Sequence, residues 1–176
     1  MKDKIGWKTK YILSKFRDPT GEVERFLTTG GSLDEARQRF EYLGTEVHEG
    51  NVALNEGLQL LVEIITGIDT TSNKWDNTNA NIGVGDGTTA ADASQTGLQG
   101  TNTAFAGMDS GYPQRSSQTA SWRATFGSAE ANFAWEEATV VNASDDTGTN
   151  LNRIVSSKGT KASGETWTAE IQITFS

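Results

Sequence analysis

The chain has 176 residues with 15 Lys and Arg, 23 Asp and Glu, and a net charge of −8, a length that suits one domain with a real core. The acidic balance disfavours a general nucleic-acid binder, which usually needs a basic face to displace counterions from phosphates. The absence of cysteine excludes disulfides, thiolate metal sites and cysteine nucleophiles, and no apolar run reaches the length of a membrane span. Leu, Ile, Val and Phe supply only 34 residues, so the core is thin; five Trp argue for a folded chain that gains part of its stability from neighbours.

Residues 1–17 carry Lys2, Lys4, Lys8, Lys10, Lys15 and Arg17 against Asp3 alone. Ile5, Trp7, Thr9, Tyr11 and Leu13 alternate with lysines there, giving a strand with one apolar and one basic face. Such a basic arm suits docking on an acidic partner or protection of an exposed sheet edge. The turn Asp18-Pro19-Thr20-Gly21 then predicts a second strand over Glu22 to Thr28, making an N-terminal β-hairpin.

Ser32, with Glu35 three residues on, forms a capping box that opens a short helix from Leu33, with Ala36, Phe40 and Leu43 on one face and Gly44 as its stop. From Asn51 to Ile65 the steps between Val52, Leu54, Leu58, Leu61, Ile64 and Ile65 predict a longer helix packed on a sheet, with Gly67 past its end. The domain division expected is an N-terminal basic hairpin or arm with a short helix in residues 1–44, and a helix plus β-body in residues 45–176.

Beyond residue 68 the helix signals stop. The segment NIGVGDGTTAADASQTGL, residues 81–98, is rich in Gly and Thr like a phosphate loop, but no Lys follows its glycines and no helix opens after them. It reads instead as a short strand followed by an extended polar connection. Ala120, Trp122, Ala124 and Phe126 alternate as a half-buried strand, Trp135 to Val141 and Leu151 to Ser156 give two more, and Thr166 to Phe175 gives the clearest alternation in the chain. The fold class expected is therefore mainly β with α: an antiparallel, jelly-roll-like β-sandwich whose open side is covered by the long helix.

Catalytic chemistry finds no constellation. His48 is the only histidine, read as a residue bonding a backbone carbonyl at a helix entrance, and no nucleophile elbow accompanies it. Asp86 and Asp92 lack the spacing of a calcium loop. Glu136 and Glu137 point to opposite faces of one strand, and one of them is expected to be buried and paired with Arg123 or Arg153 as a structural ion pair. No catalytic, cofactor or metal residues are assigned. The residues expected to touch a partner are Lys2, Lys4, Trp7, Lys8, Lys10, Trp75 and Asp86, with Trp75 placed in a polar loop as a contact anchor or, alternatively, a sugar-stacking surface.

The order of HEGNVALNEGLQLLVEIITG, NIGVGDGTTAADASQTGL, ASWRATFGSAEANFAWEEATVV and NLNRIVSSKGTKASGETWTAEIQITFS resembles small virion structural proteins of tailed bacteriophages, over roughly residues 45–176. The resemblance implies a β-rich, non-enzymatic particle component without nucleic-acid or membrane partners, assembled in the host cytoplasm. A capsid decoration or cement protein, a homo-oligomer such as a trimer bound to the major capsid protein or another virion protein, is the favoured form. A tail, neck or fibre component that attaches to host glycans is the alternative it implies.

Overall fold

A computed structural model describes residues 6–69 and 72–176. Lys2 and Lys4 lie outside the described residues. The elements in chain order are β1 Trp7–Arg17, α1 Glu22–Thr28, α2 Leu33–Arg39, β2 Tyr42–Glu49, β3 Val52–Ala53, α3 Asn55–Thr66, β4 Asn81–Gly85, β5 Thr103–Gly107, β6 Gln114–Ser116, β7 Thr119–Phe126, β8 Glu137–Val141, β9 Asn152–Val155 and β10 Glu165–Phe175. They form two antiparallel five-stranded sheets, ordered β2-β1-β10-β7-β6 and β3-β9-β8-β4-β5. This arrangement is consistent with a β-sandwich.

The first and last strands lie side by side in the first sheet, where β1 and β10 pair from Trp7↔Phe175 to Arg17↔Glu165. Alternation explains what each strand gives to the core: Tyr11 and Leu13, Ala169, Ile171 and Ile173, and Trp122, Ala124 and Phe126 are buried together. Ile82, Val84, Ala138, Val140 and Ile154 complete that core from the second sheet. The Trp135 ring stands edge-on to Phe126 and Trp167, with centroids 4.8 and 5.0 Å away. Burying each large side chain contributes about 1.5–3 kcal/mol, so these aromatics offset the shortage of aliphatic residues.

The expected N-terminal hairpin and arm are not what forms. Residues Glu22 to Thr28 are α1, because Val23 and Leu27 sit four apart on one buried face and the Asp18 carboxylate accepts the Glu24 N–H at 3.0 Å. The basic strand is also no arm: from Trp7 onward it is β1, flanked by β2 and β10, and the boundary expected after residue 44 falls inside β2. The Ser32–Glu35 capping box is present, but α2 ends at Arg39, and Leu43 lies exposed on β2.

Helices α1 and α2 bury Val23, Leu27 and Ala36 against Phe16, on the side of the first sheet away from the main core. Their cover explains why the polar side of β10 is buried as well. Thr166 donates to Asp18 at 2.8 Å, and Thr168 shares a 3.0 Å hydrogen bond with Thr125.

Helix α3 ends where expected, on Gly67 in the left-handed conformation. Leu60 joins the main core, and Ile64 packs against it. Only Gly57 and Leu60 of α3 are fully buried, and Gly57 is packed so tightly on the backbone of Asn150 and Leu151 that an added Cβ would lie 2.6 Å from the Leu151 Cα. Leu58, Val62 and Ile65 face solvent, because the helix is apolar around more than one face and the domain covers one of them.

The Tyr11 hydroxyl is buried without a hydrogen-bond partner, and burial, reinforced by Glu46, pushes its phenol well above the ordinary value of 10.0. The phenol stays neutral in the folded chain while the unfolded chain ionises, so stability is present below pH 10 and lost as the pH climbs past it. Tyr11→Phe should unfold at higher pH than wild type and be no less stable at pH 7, read from tryptophan fluorescence across an alkaline titration. An unchanged alkaline midpoint contradicts this.

Candidate contact surface

Trp7, Lys8 and Lys10, three of the residues expected to meet a partner, line one cleft of about 390 Å³ beside the start of β1. Glu49 at the end of β2, Asn51 in the following turn and Gln172 of β10 complete its walls. The sheet register builds the cleft: Lys10 pairs with Gln172 on one side and Glu49 on the other, and Lys8 lies opposite Thr174. Trp7 is fixed by an edge contact with Phe175 at 5.3 Å and by donation from its Nε1 to Asn51 Oδ1 at 2.9 Å. Two polar groups at this place have no hydrogen-bond partner, Thr9 Oγ1 and Asn51 Nδ2. Lys8 and Lys10 are exposed, so the surface offers two ammonium groups around a partly exposed indole.

The remaining expected contact residues lie elsewhere. Trp75 is only 8% exposed and belongs to the main core. Its Nε1 donates to the Thr149 carbonyl at 3.0 Å, and its own carbonyl accepts from Trp122 Nε1 at 2.9 Å. Polar neighbours in the sequence had marked it as a loop anchor, but the indole turns inward, so neither a partner contact nor sugar stacking is open to it. Asp86 accepts from the Asn102 backbone at 3.0 Å and from its side-chain amide, and these bonds hold its carboxyl below the usual range. That is the role of a loop tie. Among the described residues no group of three or more His, Cys, Asp or Glu could hold a metal ion.

The glycine segment, with the two residues that follow it, cradles an anion, and the anion is the chain's own Glu137. The backbone N–H groups of Gly87, Gln99 and Gly100 donate to its carboxylate at 3.1, 2.9 and 2.7 Å. Arg153 Nε donates to the other carboxylate oxygen at 2.6 Å, and both side chains are fully buried. Arg153 Nη1 also ties Thr89 and Gln95 of the connection, each at 2.9 Å. Glycine is required for close approach here: an added Cβ on Gly87 would lie 2.4 Å from Glu137 Oε1, and one on Gly100 2.6 Å from the Gly87 nitrogen. This is the ion pair expected for one of the two adjacent glutamates, with Arg153 as the partner. Arg123, the other candidate, pairs with Asp109 at 2.8 Å.

His48 lies on strand β2, not at a helix entrance; burial and the nearby Lys158 charge lower its pKa. The surface feature that sequence reasoning missed is the apolar face on and beyond α3, where Val62, Ile65 and Ile68 are 58%, 76% and 79% exposed. Its signal was visible in the apolar residues that surround that helix on more than one side. Among the described residues no helix is long and apolar enough to cross a membrane. Comparison of the chain with protein-family models, with curated proteins and with solved structures found no match.

Proposed function

We propose that this chain is a non-enzymatic structural protein of a bacteriophage virion, most simply a capsid decoration or cement protein that acts through contacts between subunits. The observation that carries the reading is the apolar surface left uncovered on a chain with a thin core. Tyr42, Leu43 and Val47 lie exposed on the edge strand β2, and Leu58, Val62, Ile65 and Ile68 on and just beyond α3. Patches of that kind call for neighbours. A homo-oligomer, with a trimer as its form, and the major capsid protein or another virion protein are the partners proposed, and the virion is the proposed location. The finer description of the body as jelly-roll-like belongs to the same proposal. The host-glycan alternative has less support, since Trp75 and three further tryptophans are buried and Trp7 alone is left partly exposed.

The test is attachment to DNA-filled or expanded capsids, with copy number counted per particle by quantitative mass spectrometry. Hundreds of copies support a head-lattice protein; six or twelve point to neck or tail and overturn decoration. Because β1 lies inside the first sheet, the role of its basic face is tested by charge reversal, Lys8→Glu/Lys10→Glu. It should weaken attachment about tenfold or more at low salt, with a smaller effect at high salt. Unchanged attachment removes the basic strand from the interface.

The apolar face on α3 makes a separate prediction. Ile65→Glu should leave the circular dichroism spectrum unchanged, since the side chain is exposed, and should shift the sedimentation of the purified protein toward the monomer. A wild-type protein that sediments as a monomer at every concentration contradicts it.

A further inference from the structure

The chain contains seven arginines, and four of them are held by carboxylates: Arg17 by Glu41, Arg37 by Asp34, Arg123 by Asp109 and Arg153 by Glu137. Arg25 of α1 and Arg39 at the end of α2 have no hydrogen-bonded or ionic partner for their guanidinium groups among the described residues, and they line the same cleft of about 310 Å³. In a chain with 23 acidic residues, two unpaired arginines that share one cleft stand apart from the others.

The floor of this cleft is aromatic. Phe26 and Phe40 meet edge to face with centroids 5.7 Å apart, and the Arg39 guanidinium lies 4.7 Å from the first ring and 5.4 Å from the second. Contact with ring faces gives the guanidinium N–H groups no carboxylate or carbonyl acceptor, and leaves its planar fork available to one. Gly31 packs flat on the Phe26 ring, where an added Cβ would lie 2.4 Å away, so the platform is fixed from below. Glu22 stands at the cleft wall and brings one negative charge of its own.

We propose that the Arg25–Arg39 cleft receives a carboxylate side chain from an acidic peptide segment of a partner protein. The cleft is at the small end of ligand pockets, which suits one or two side chains better than a cofactor. Glu22 disfavours a doubly charged phosphate more than a singly charged carboxylate, and the net charge of −8 opposes a polyanionic nucleic acid. The cleft serves any acidic partner, so its failure and the failure of the virion reading are separate results.

The experiment follows the Nε–Hε signals of the arginines by NMR in the full chain, titrated with a hexaglutamate peptide, with inorganic phosphate and with hexalysine. Saturable shifts of the Arg25 and Arg39 signals with hexaglutamate are expected, and none with hexalysine. Arg25→Ala and Arg39→Lys should each lower the affinity about tenfold, the second because it keeps the charge and loses the fork. Lys74→Ala, an exposed lysine away from both clefts, should leave it unchanged. Both arginines are exposed, so these variants should fold, which circular dichroism verifies. Absence of shifts at the two arginines, equal affinity for phosphate, full binding by Arg39→Lys, or an equal loss in the lysine variant would each overturn the proposal.

Discussion

Replacing Glu137 by alanine should lower the free energy of unfolding by about 3–5 kcal/mol, because it leaves the Arg153 guanidinium fully buried without its counter-charge. The same change orphans the N–H groups of Gly87, Gln99 and Gly100, which have been drawn together around that carboxylate. Glu137→Gln keeps two acceptor lone pairs but presents an amide N–H₂ to groups that themselves donate, so it should recover only part of the loss. The double variant Glu137→Leu/Arg153→Met removes both charges and should be less damaging than Glu137→Ala alone. Urea unfolding gives the stabilities, and amide exchange at Gly87, Gln99 and Gly100 reports on the connection, whose protection should fall first. A loss under about 1 kcal/mol with protection intact would falsify the claim that this pair organises residues 86–100.

Much of this arrangement was legible in the sequence, and the limits are physical. The β10 strand was readable because Trp167, Ala169, Ile171 and Ile173 keep period-two spacing, and the α2 start because Ser32 and Glu35 carry a local capping signal. That one of Glu136 and Glu137 would pair with Arg123 or Arg153 could be named because a buried glutamate on a strand needs a cation, but which glutamate and which arginine was fixed only by the fold. What failed depended on distant contacts. Glu22 to Thr28 looked extended after a proline turn, yet its helix is fixed by Asp18 and by the Phe16 face it covers. The inward turn of Trp75 depends on carbonyls and rings from residues 122 and 149, far away in the chain. The Arg25–Arg39 cleft is a matter of what those arginines lack, and no spacing rule encodes the absence of a partner.

Lys161 should prove nearly as costly to replace as Glu137. Its ammonium is buried in the fold and donates to the carbonyls of Gly127 and Glu130 at 2.7 and 2.9 Å and to Asn132 Oδ1 at 2.9 Å. Those three oxygens belong to the turn that also positions Trp135, whose Nε1 donates to the Ala131 carbonyl at 2.9 Å. Lys161→Met fills similar space but leaves the oxygens without their donor, and should destabilise by about 3 kcal/mol at pH 7. The pH dependence identifies the cause. Burial lowers the pKa of Lys161 to about 8, against the pull of Glu165, Glu130, Glu24 and Asp18, while the unfolded chain keeps the proton to about 10.5. Below pH 8 both states are protonated and this group adds no slope. Between pH 8 and 10.5 the unfolded chain binds more protons, so wild-type stability gains from Lys161 as the pH rises. The methionine variant lacks that gain, so the stability gap between wild type and Lys161→Met should widen from pH 8 to pH 10, measured by urea unfolding at each pH. A gap that stays constant across that range would mean that the lysine keeps its proton in the fold, and that the three oxygens hold an ordinary ammonium.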